Sequence, residues 1–461
     1  MPIDTPHPEH SAFIDQWTRC RDAVAGEDCI KEKGEIYLPR LSGHEKKSYL
    51  SREKDPYEIY KDRATFHGIL SNTISAYAGA AFLTPPQIDF GSERMQLWAE
   101  DVDGSDLSLV DHIRHTFDDL LTVGRAVVFV DMAPMGGDPY LVRRRAEDVI
   151  NWAHDETGKL SLVVIKECVY QAEEGDRYRM EAVTQWRELL LEDGLYLQRL
   201  WVKRKEDGGD FVQVGEDIIP RKGGQAFDFI PIVFFGPSGF QTCPEKPPLL
   251  DATNLNIAHY RNSADYEQIL HTLACGTPYI FGLNSDETPS AIGPGTLWSG
   301  KNSDVKLGIL EFSGEGVSAL KQAMEDKLAA MVAVGAKLIE KAKTQAETAE
   351  TTRLKSTAEH STLVKIVDVL AAGYEKLLIY VAFWMGAPDS VSIEMSHDFV
   401  DDGWVPQELA AISAAVMDGV ISREAGFYAL NSKGFFPSGR TFEDEAGALE
   451  QGTAQPANSL L

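Results

Sequence analysis

Residues 313–338 read SGEGVSALKQAMEDKLAAMVAVGAKL, and residues 354–385 read LKSTAEHSTLVKIVDVLAAGYEKLLIYVAFWM. In the first, Val317, Leu320, Met324, Leu328, Met331, Val334 and Leu338 recur at three- or four-residue spacing. That spacing places one apolar stripe on a helix of roughly six turns. The second carries Leu354, Ala358, Val364, Val367, Leu370, Tyr374, Leu377, Leu378, Val381 and Trp384, with Gly373 as its interior breaker before Gly386 and Pro388 stop it. Counted from Glu347, this helix would run about 39 residues, ~58 Å at the standard rise. Helices of globular domains average about three turns, so a rod of that length is expected to line or span something long. A polar connector, Glu340 to Thr352, joins the two segments, and neither holds a catalytic motif.

Working outward, the 461 residues and 43% apolar content imply two to four domains with real cores. No window reaches the apolar length of a membrane span; the nearest, Leu377 to Met385, is too short. The N-terminal Asp4, Pro6, His7, Pro8 and Glu9 lack the basic and apolar regions of a signal peptide, so a cytoplasmic site of synthesis is expected. Cys20, Cys29, Cys168, Cys243 and Cys275 form no CxxC pair, which points to reduced and mostly packed thiols rather than disulfides or zinc. A net charge of −27 argues against an outer surface that wraps nucleic acid. It leaves open a wall along which DNA slides, because an acidic wall repels phosphate and prevents sticking.

In chain order, Ser11 to Ala25 reads as an amphipathic helix capped by Ser11 or Asp15, and Tyr37-Leu38-Pro39-Arg40-Leu41 as an extended connector. Asp55 to Phe82 reads as helix with breaks near Gly68 and Gly79, ended by Pro85-Pro86, and Leu107 to Leu121 as another helix. From Gly124 the period changes. Ala126 to Val130, Tyr140 to Val142, Leu160 to Val169, Tyr178 to Glu188, Leu195 to Lys203 and Phe211 to Val214 read as strands separated by turn residues. No helix-length segment intervenes, so the sheet is antiparallel and the fold class α+β. Phe229 to Phe235 is a last strand whose Pro231 marks an edge. A Pro/Gly linker from Pro237 to Pro248 leads to a helix, Leu249 to Leu273, then a small strand-like insert, Gly276 to Phe312. So small an insert is expected to pack on copies of itself. Val391 to Met395 reads as strand, Pro406 to Met417 and Ser422 to Leu430 as a helical pair, and the last twenty residues as a mobile tail.

Several patterns resemble chemical sites. Gly295-Thr296-Leu297-Trp298-Ser299-Gly300-Lys301-Asn302 lacks the hydroxyl after lysine, the preceding strand and the following helix that a phosphate-binding loop needs, so a glycine-rich turn is expected. Asp101, Asp103, Ser105 and Asp106 begin like a calcium loop, but Asp106 sits where glycine is needed and His112 where glutamate is needed. A helix-capping acidic loop is the expectation. His112 and His115 are three apart without a third ligand, which favours a packed or solvated pair. Arg143-Arg144-Arg145 is expected to be a basic turn pairing with carboxylates. GxSxG, HExxH and GxGxxG are absent, and no residue is nominated as catalytic or metal-binding. The Glu340–Thr352 connector has two readings: a frayed turn with local ion pairs, or a loop offering charges and hydroxyls to a phosphate backbone.

Tyr37-Leu38-Pro39-Arg40-Leu41, Arg63-Ala64-Thr65-Phe66 through Phe82 and Pro85-Pro86, Pro247 to Asp251, Asn256 to Tyr260, Ser263 to Glu267, Thr277-Pro278, Glu347-Thr348-Ala349, Lys355-Ser356 and Glu359-His360-Ser361 stand in telling order. In that order and spacing, from about Pro8 to Met385, the chain resembles portal proteins of tailed bacteriophages, in the subgroup labelled as a domain of unknown function. The resemblance implies the portal fold: residues 1–248 as a wing of helices and antiparallel sheet, 249–274 and 315–338 as stem helices, and 275–314 as a small α/β clip. It further implies 339–353 as a tunnel loop, 354–400 as a long helix with the rest of the wing, and 401–461 as a helical crown with a mobile tail. It tips the connector reading toward DNA contact through Lys341, Lys343, Thr344, Gln345, Thr348, Thr351, Thr352 and Arg353. Stem positions implied are Tyr260, Asp265, Glu267, Lys321, Glu325 and Lys337; clip positions are Asn284, Asp286, Glu287, Trp298 and Lys301.

The implied function is a homo-oligomeric ring, of twelve copies in typical relatives, at one capsid vertex of the virion. Double-stranded DNA would be packaged and ejected through its channel without sequence reading. The implied partners are the terminase large subunit, a head-tail adaptor and the major capsid protein, with no membrane and no cofactor, since the motor supplies ATP hydrolysis. Two alternatives stand beside it: a nucleotide-binding enzyme using Lys301, and a virion adaptor or scaffold that encloses no channel.

Overall fold

The computed structural model describes residues 2–42, 55–132, 137–173, 176–204, 209–222, 225–275, 277–282, 305–310, 315–336, 362–388, 390–397, 416, 420–431 and 440–453. It is α+β and divides into two compact units, Met1–His397 and Asp398–Leu461.

The first unit opens with helices. α1 (Pro8–Ala25) starts three residues before the Ser11 expected, because His7 Nδ1 accepts the Glu9 N–H and Pro8 suits the first helical position. Its Trp17, Cys20 and Ala23 are buried. After α2 (Glu27–Lys33), Asp55 caps α3 (Pro56–Arg63) through the Tyr57 N–H. The chain then breaks at Ala64 to Gly68 and resumes as α4 (Ile69–Ala81). Gly79 does not break this helix, contrary to the sequence reading; an interior glycine costs only about 1 kcal/mol. β1 (Gln87–Asp89) and α5 (Glu93–Trp98) lead to α6 (Leu109–Val123), which Ser108 caps through the Asp111 N–H. Gly124 ends α6 at φ +68, and a Cβ there would come within 3.1 Å of Pro247 Cα. Only glycine meets both demands.

β2 (Ala126–Met132), buried as far as Asp131, is the centre of a three-stranded antiparallel sheet, beside β3 (Pro139–Arg145). The expected basic turn Arg143 to Arg145 is therefore the end of a strand. β4 (Val149–His154), β5 (Leu160–Glu173), β6 (Asp176–Glu192), β7 (Leu195–Lys203) and β8 (Phe211–Ile218) form a five-stranded antiparallel meander. Leu189 faces Gln198 and Trp186 faces Trp201 across it. A two-residue ladder, β9 (Arg221–Lys222) with β10 (Gln225–Ala226), precedes β11 (Ile232–Phe235), the edge of the three-stranded sheet. Pro231 offers its carbonyl to the Val130 N–H just ahead of that edge, the position a residue without an N–H can hold.

α7 (Leu250–Cys275) runs into β12 (Thr277–Phe281), which pairs antiparallel with β13 (Lys306–Leu310), and the chain returns through α8 (Glu315–Ala336). The long helix α9 is described from Thr362 to Met385; the expected extension from Glu347 to Ser361 lies outside the described residues. It buries Leu363, Ile366, Leu370, Tyr374, Leu377 and Val381 against α6 and the three-stranded sheet. Gly373 is required there, because a methyl group would collide with the Phe235 ring. β14 (Ser392–Glu394) closes the unit by pairing with β1.

In the second unit, α10 (Arg423–Asn431) and α11 (Phe442–Thr453) meet through Phe427 and Phe442, 5.8 Å between ring centroids. Helix α11 occupies much of the stretch expected as a mobile tail. Most of the expected helix from Pro406 to Met417 lies outside the described residues.

Candidate functional site

The face that α7 buries is partly polar: beside Ala252, Ile257 and Ala264, the residues Thr253, Asn256, His259, Tyr260 and Ser263 are all at most 5% exposed. Thr253 meets Cys20 on α1, and the other four meet the chain around the α3–α4 break. Asn256 Nδ2 donates to the His67 carbonyl at 2.9 Å. Ser263 Oγ accepts the Thr65 N–H at 3.0 Å and lies the same distance from the Thr65 carbonyl. Tyr260 packs edge-on against Phe66, and the Tyr60 hydroxyl donates to Asp265 at 2.6 Å. Arg63 reaches Gln268 Oε1 at 3.0 Å, and Arg261 Nε reaches the Tyr37 carbonyl at 2.7 Å. Tyr37 in turn donates to Asp22 Oδ2 at 2.6 Å. Thus the segments 37–41, 63–66, 256–260 and 263–267, which carry the portal resemblance, converge on one joint. It is a hydrogen-bonded mount that fixes the direction in which α7 leaves the body.

α8 lies antiparallel to α7. Near one end Asp265, Gln268 and Ile269 share a groove with Gly316, Ala319, Leu320 and Ala323. Near the other, Lys327 acts on His259, Met331 is buried, and the Tyr77 hydroxyl donates to the Gly335 carbonyl. Burial first, then His67 and Lys327, push the His259 pKa below its ordinary value. Burial and the Asp265 carboxylate raise that of Tyr60. These shifts belong to a joint that works with a neutral imidazole and an un-ionised phenol.

Of the stem positions, Tyr260 is fully buried in the joint and Asp265 and Glu267 are half-buried. Lys321 and Glu325 are exposed on α8, one turn apart and 3.8 Å between Nζ and Oε1. Leu328, read as part of the apolar stripe, is instead 41% exposed. Lys337, every tunnel-loop position from Lys341 to Arg353, the clip positions Asn284, Asp286, Glu287, Trp298 and Lys301, and the Gly295–Asn302 loop lie outside the described residues.

The remaining charged clusters are structural. Asp101 Oδ1 accepts the N–H groups of Gly104, Ser105 and Asp106, so its carboxylate closes the loop ahead of α6. His112 is buried, its Nδ1 2.6 Å from the Tyr374 hydroxyl, whereas His115 is exposed. Arg143 pairs with Asp119, as does Arg21, which also holds Glu147. Arg144 and Arg187 clasp Glu167 between the two sheets. Burial alone would push the Glu167 carboxyl up, but Arg187 and Arg144 outweigh it and hold it below the usual range. The expected pairing of the Arg143–Arg145 run with carboxylates holds for Arg143 and Arg144, but the partners Asp119 and Glu167 were not named, because they sit on elements far apart in the chain. A charge set among buried β residues, such as Asp131 after Val130, was the available signal.

Cys20 is packed, with burial raising its thiol to about 11, but Cys168 and Cys243 are exposed, contrary to the expectation of mostly packed thiols. Among the described residues no three His, Cys, Asp or Glu side chains gather as a metal site, and no helix is long and apolar enough to cross a membrane.

No curated protein matches the chain. Among solved structures, the chain is similar to one from the neck of a native gene transfer agent particle, computed with C12 symmetry, at 15% identity and TM-score 0.39 over 81% of this chain and 92% of that one. A chain from the neck of the empty particle, computed with C6 symmetry, aligns at 12% identity and TM-score 0.39 over 87% and 99%. One from the virion of the native particle aligns at 14% and 0.40 over 87% and 98%. A family described as a domain of unknown function (DUF4055) matches residues 248–385, a span that begins just before α7 and ends with the last residue of α9.

Proposed function

We propose that the chain is the subunit of a portal-type ring: a non-enzymatic homo-oligomer that forms a DNA channel at one vertex of a phage-like virion. The observation that carries this reading is the joint at the root of α7. Residues that resemble portal proteins in sequence build a rigid mount for two antiparallel helices, and that pair carries the small β12–β13 hairpin. Such a mount suits a protein that must hold one long excursion in a fixed direction.

In this reading α7 and α8 are the stem, and the segment from β12 to β13 is the clip that meets the terminase large subunit and later a head-tail adaptor. The helices and sheets before α7 are the wing, which faces the major capsid protein. Residues 339–353 are the tunnel loop, α9 crosses the wing, and the unit Asp398–Leu461 contributes the crown. The ring is a dodecamer made in the bacterial cytoplasm, and double-stranded DNA passes through it without sequence recognition.

Mass photometry with negative-stain imaging of the purified protein tests this. Particles of about 600 kDa with a central hole are expected from closed cyclic symmetry. A chain that stays monomeric or dimeric at micromolar concentration, or assembles without a hole, would overturn the reading.

A further inference from the structure

At the root of α7 the His259 ring is 4% exposed and lies 5.1 Å, centroid to centroid, from the ring of His67, which is exposed in the α3–α4 break. Asn256, one turn before His259, holds the His67 carbonyl, so helix and break are tied at this pair. The elements packed on α7 bring the His259 ring no counter-charge. α8 brings Lys327, half-buried and close enough to act on it. From α3, the Tyr60 hydroxyl is spent on Asp265 and Arg63 on Gln268, while Arg19 of α1 donates to Asn254. Glu27 of α2 and Tyr57 of α3 act on the neighbouring Tyr260 instead, and Tyr77 of α4 is held by the Gly335 carbonyl. Only His67 and Lys327 reach the His259 ring electrostatically, and neither can carry a negative charge. The joint is also incompletely satisfied: Asn256 Oδ1, His259 Nδ1 and the Tyr260 hydroxyl are buried with no hydrogen-bond partner among the described residues. Such groups cost free energy while they stay buried and recover it in water, which lowers the work of opening.

We infer that His259, set between His67 and Lys327, is an acid-sensitive latch: a proton on its ring releases α7 and α8 from the α3–α4 break while the sheets stay folded. The closed joint refuses the proton because burial and two basic neighbours disfavour the charged imidazole. Once α7 lifts, the ring meets water and takes up a proton near the ordinary histidine value of about 6.5. Stability of the closed joint is therefore complete above that value and is lost as pH falls below it. One proton bound on opening makes the open form about tenfold more populated for each pH unit of that fall. The latch acts within one chain, so it holds for a monomer and for a ring alike.

The test is hydrogen exchange of the full chain at pH 7.5, 6.5 and 5.5, with exposure times scaled to the intrinsic amide rates, in wild type, His259→Gln and Lys327→Glu. In the wild type, protection of α7 and α8 is expected to fall by about tenfold per pH unit below about 6.5, with β2 the slower to exchange at every pH. His259→Gln, whatever its protection at pH 7.5, should abolish that fall in α7 and α8. β2 should still keep a slope in this variant through His112. Lys327→Glu gives the charged ring a carboxylate neighbour, so the closed joint accepts the proton more readily and the fall should shrink. A wild type whose α7 and α8 protection is flat with pH, a fall that survives His259→Gln, or one that Lys327→Glu leaves unchanged would overturn the inference. None of these outcomes bears on whether the chain forms rings.

Discussion

At His112 the fold has buried an imidazole, with the Tyr374 hydroxyl 2.6 Å from both His112 Nδ1 and Thr116 Oγ1, and burial pushes its pKa down to about 3. The unfolded chain therefore binds a proton near the ordinary histidine value of about 6.5 that the folded chain refuses. Stability from this group is present above that value and is lost as pH falls below it, by on the order of 2 kcal/mol at pH 5. His10 and His259, shifted the same way by burial, add to the slope. Thermal melts between pH 7.5 and 5 should show the loss, and His112→Asn, whatever its melting point, should flatten the slope. An unchanged slope would mean that His112 takes up its proton without disturbing the fold. A second residue-scale outcome concerns Gly373. Its replacement by alanine drives a methyl group into Phe235 at the centre of the α9–β11 packing, and should destabilise by about 1–3 kcal/mol in a denaturant titration.

Among the elements, those whose signals are local were legible. The strand boundaries at Gly194 and Gly209 follow from turn residues, and α6 ends at Gly124 because the chain must turn left-handed there. β4 was not legible. Its six residues carry two register irregularities against β5, which blur the two-residue period. The polar part of the face that α7 buries was not legible for a different reason. Periodicity ranks apolar residues, yet Ile269 is exposed while Asn256, His259 and Ser263 are buried, because their partners lie about two hundred residues away in the α3–α4 break. Sequence order carried the resemblance; only the fold shows that its pieces touch. Removing one of those contacts should therefore loosen the whole excursion. Ser263→Ala deletes the acceptor of the Thr65 N–H, at a cost of about 0.5–1.5 kcal/mol for a part-buried hydrogen bond. Hydrogen exchange in α7 and α8 should rise while exchange in β2 stays slow; equal acceleration in both would make the joint an ordinary part of the core. A deletion of residues 343–352 probes the connector instead. Rings are expected to persist and DNA retention in particles to fall, whereas a loss of rings would make the connector a structural joint.

For the whole molecule, the decisive quantity is where its 44 positive charges point among 71 carboxylates. Arg21, Arg143, Arg144 and Arg187 are engaged with carboxylates inside the first unit, and Arg199 pairs with Asp217 and Glu192 on the five-stranded sheet. Each such pair cancels, so the chain still presents its whole net charge of −27 to its surroundings. Twelve copies would carry roughly −320, a field that repels phosphate at every approach. A channel wall of that kind lets a duplex pass without adhering to it. A protein that grips DNA releases counterions from each phosphate it neutralises, so its affinity falls about 10³-fold or more between 50 and 200 mM salt. Purified rings should show no such dependence. Fluorescence anisotropy of a labelled duplex is expected to give at most weak binding at both salt concentrations, with no steep loss between them. A steep negative salt slope would reveal a basic groove that neither the composition nor the paired arginines account for, and the sliding-wall reading would then give way to one in which the chain holds DNA.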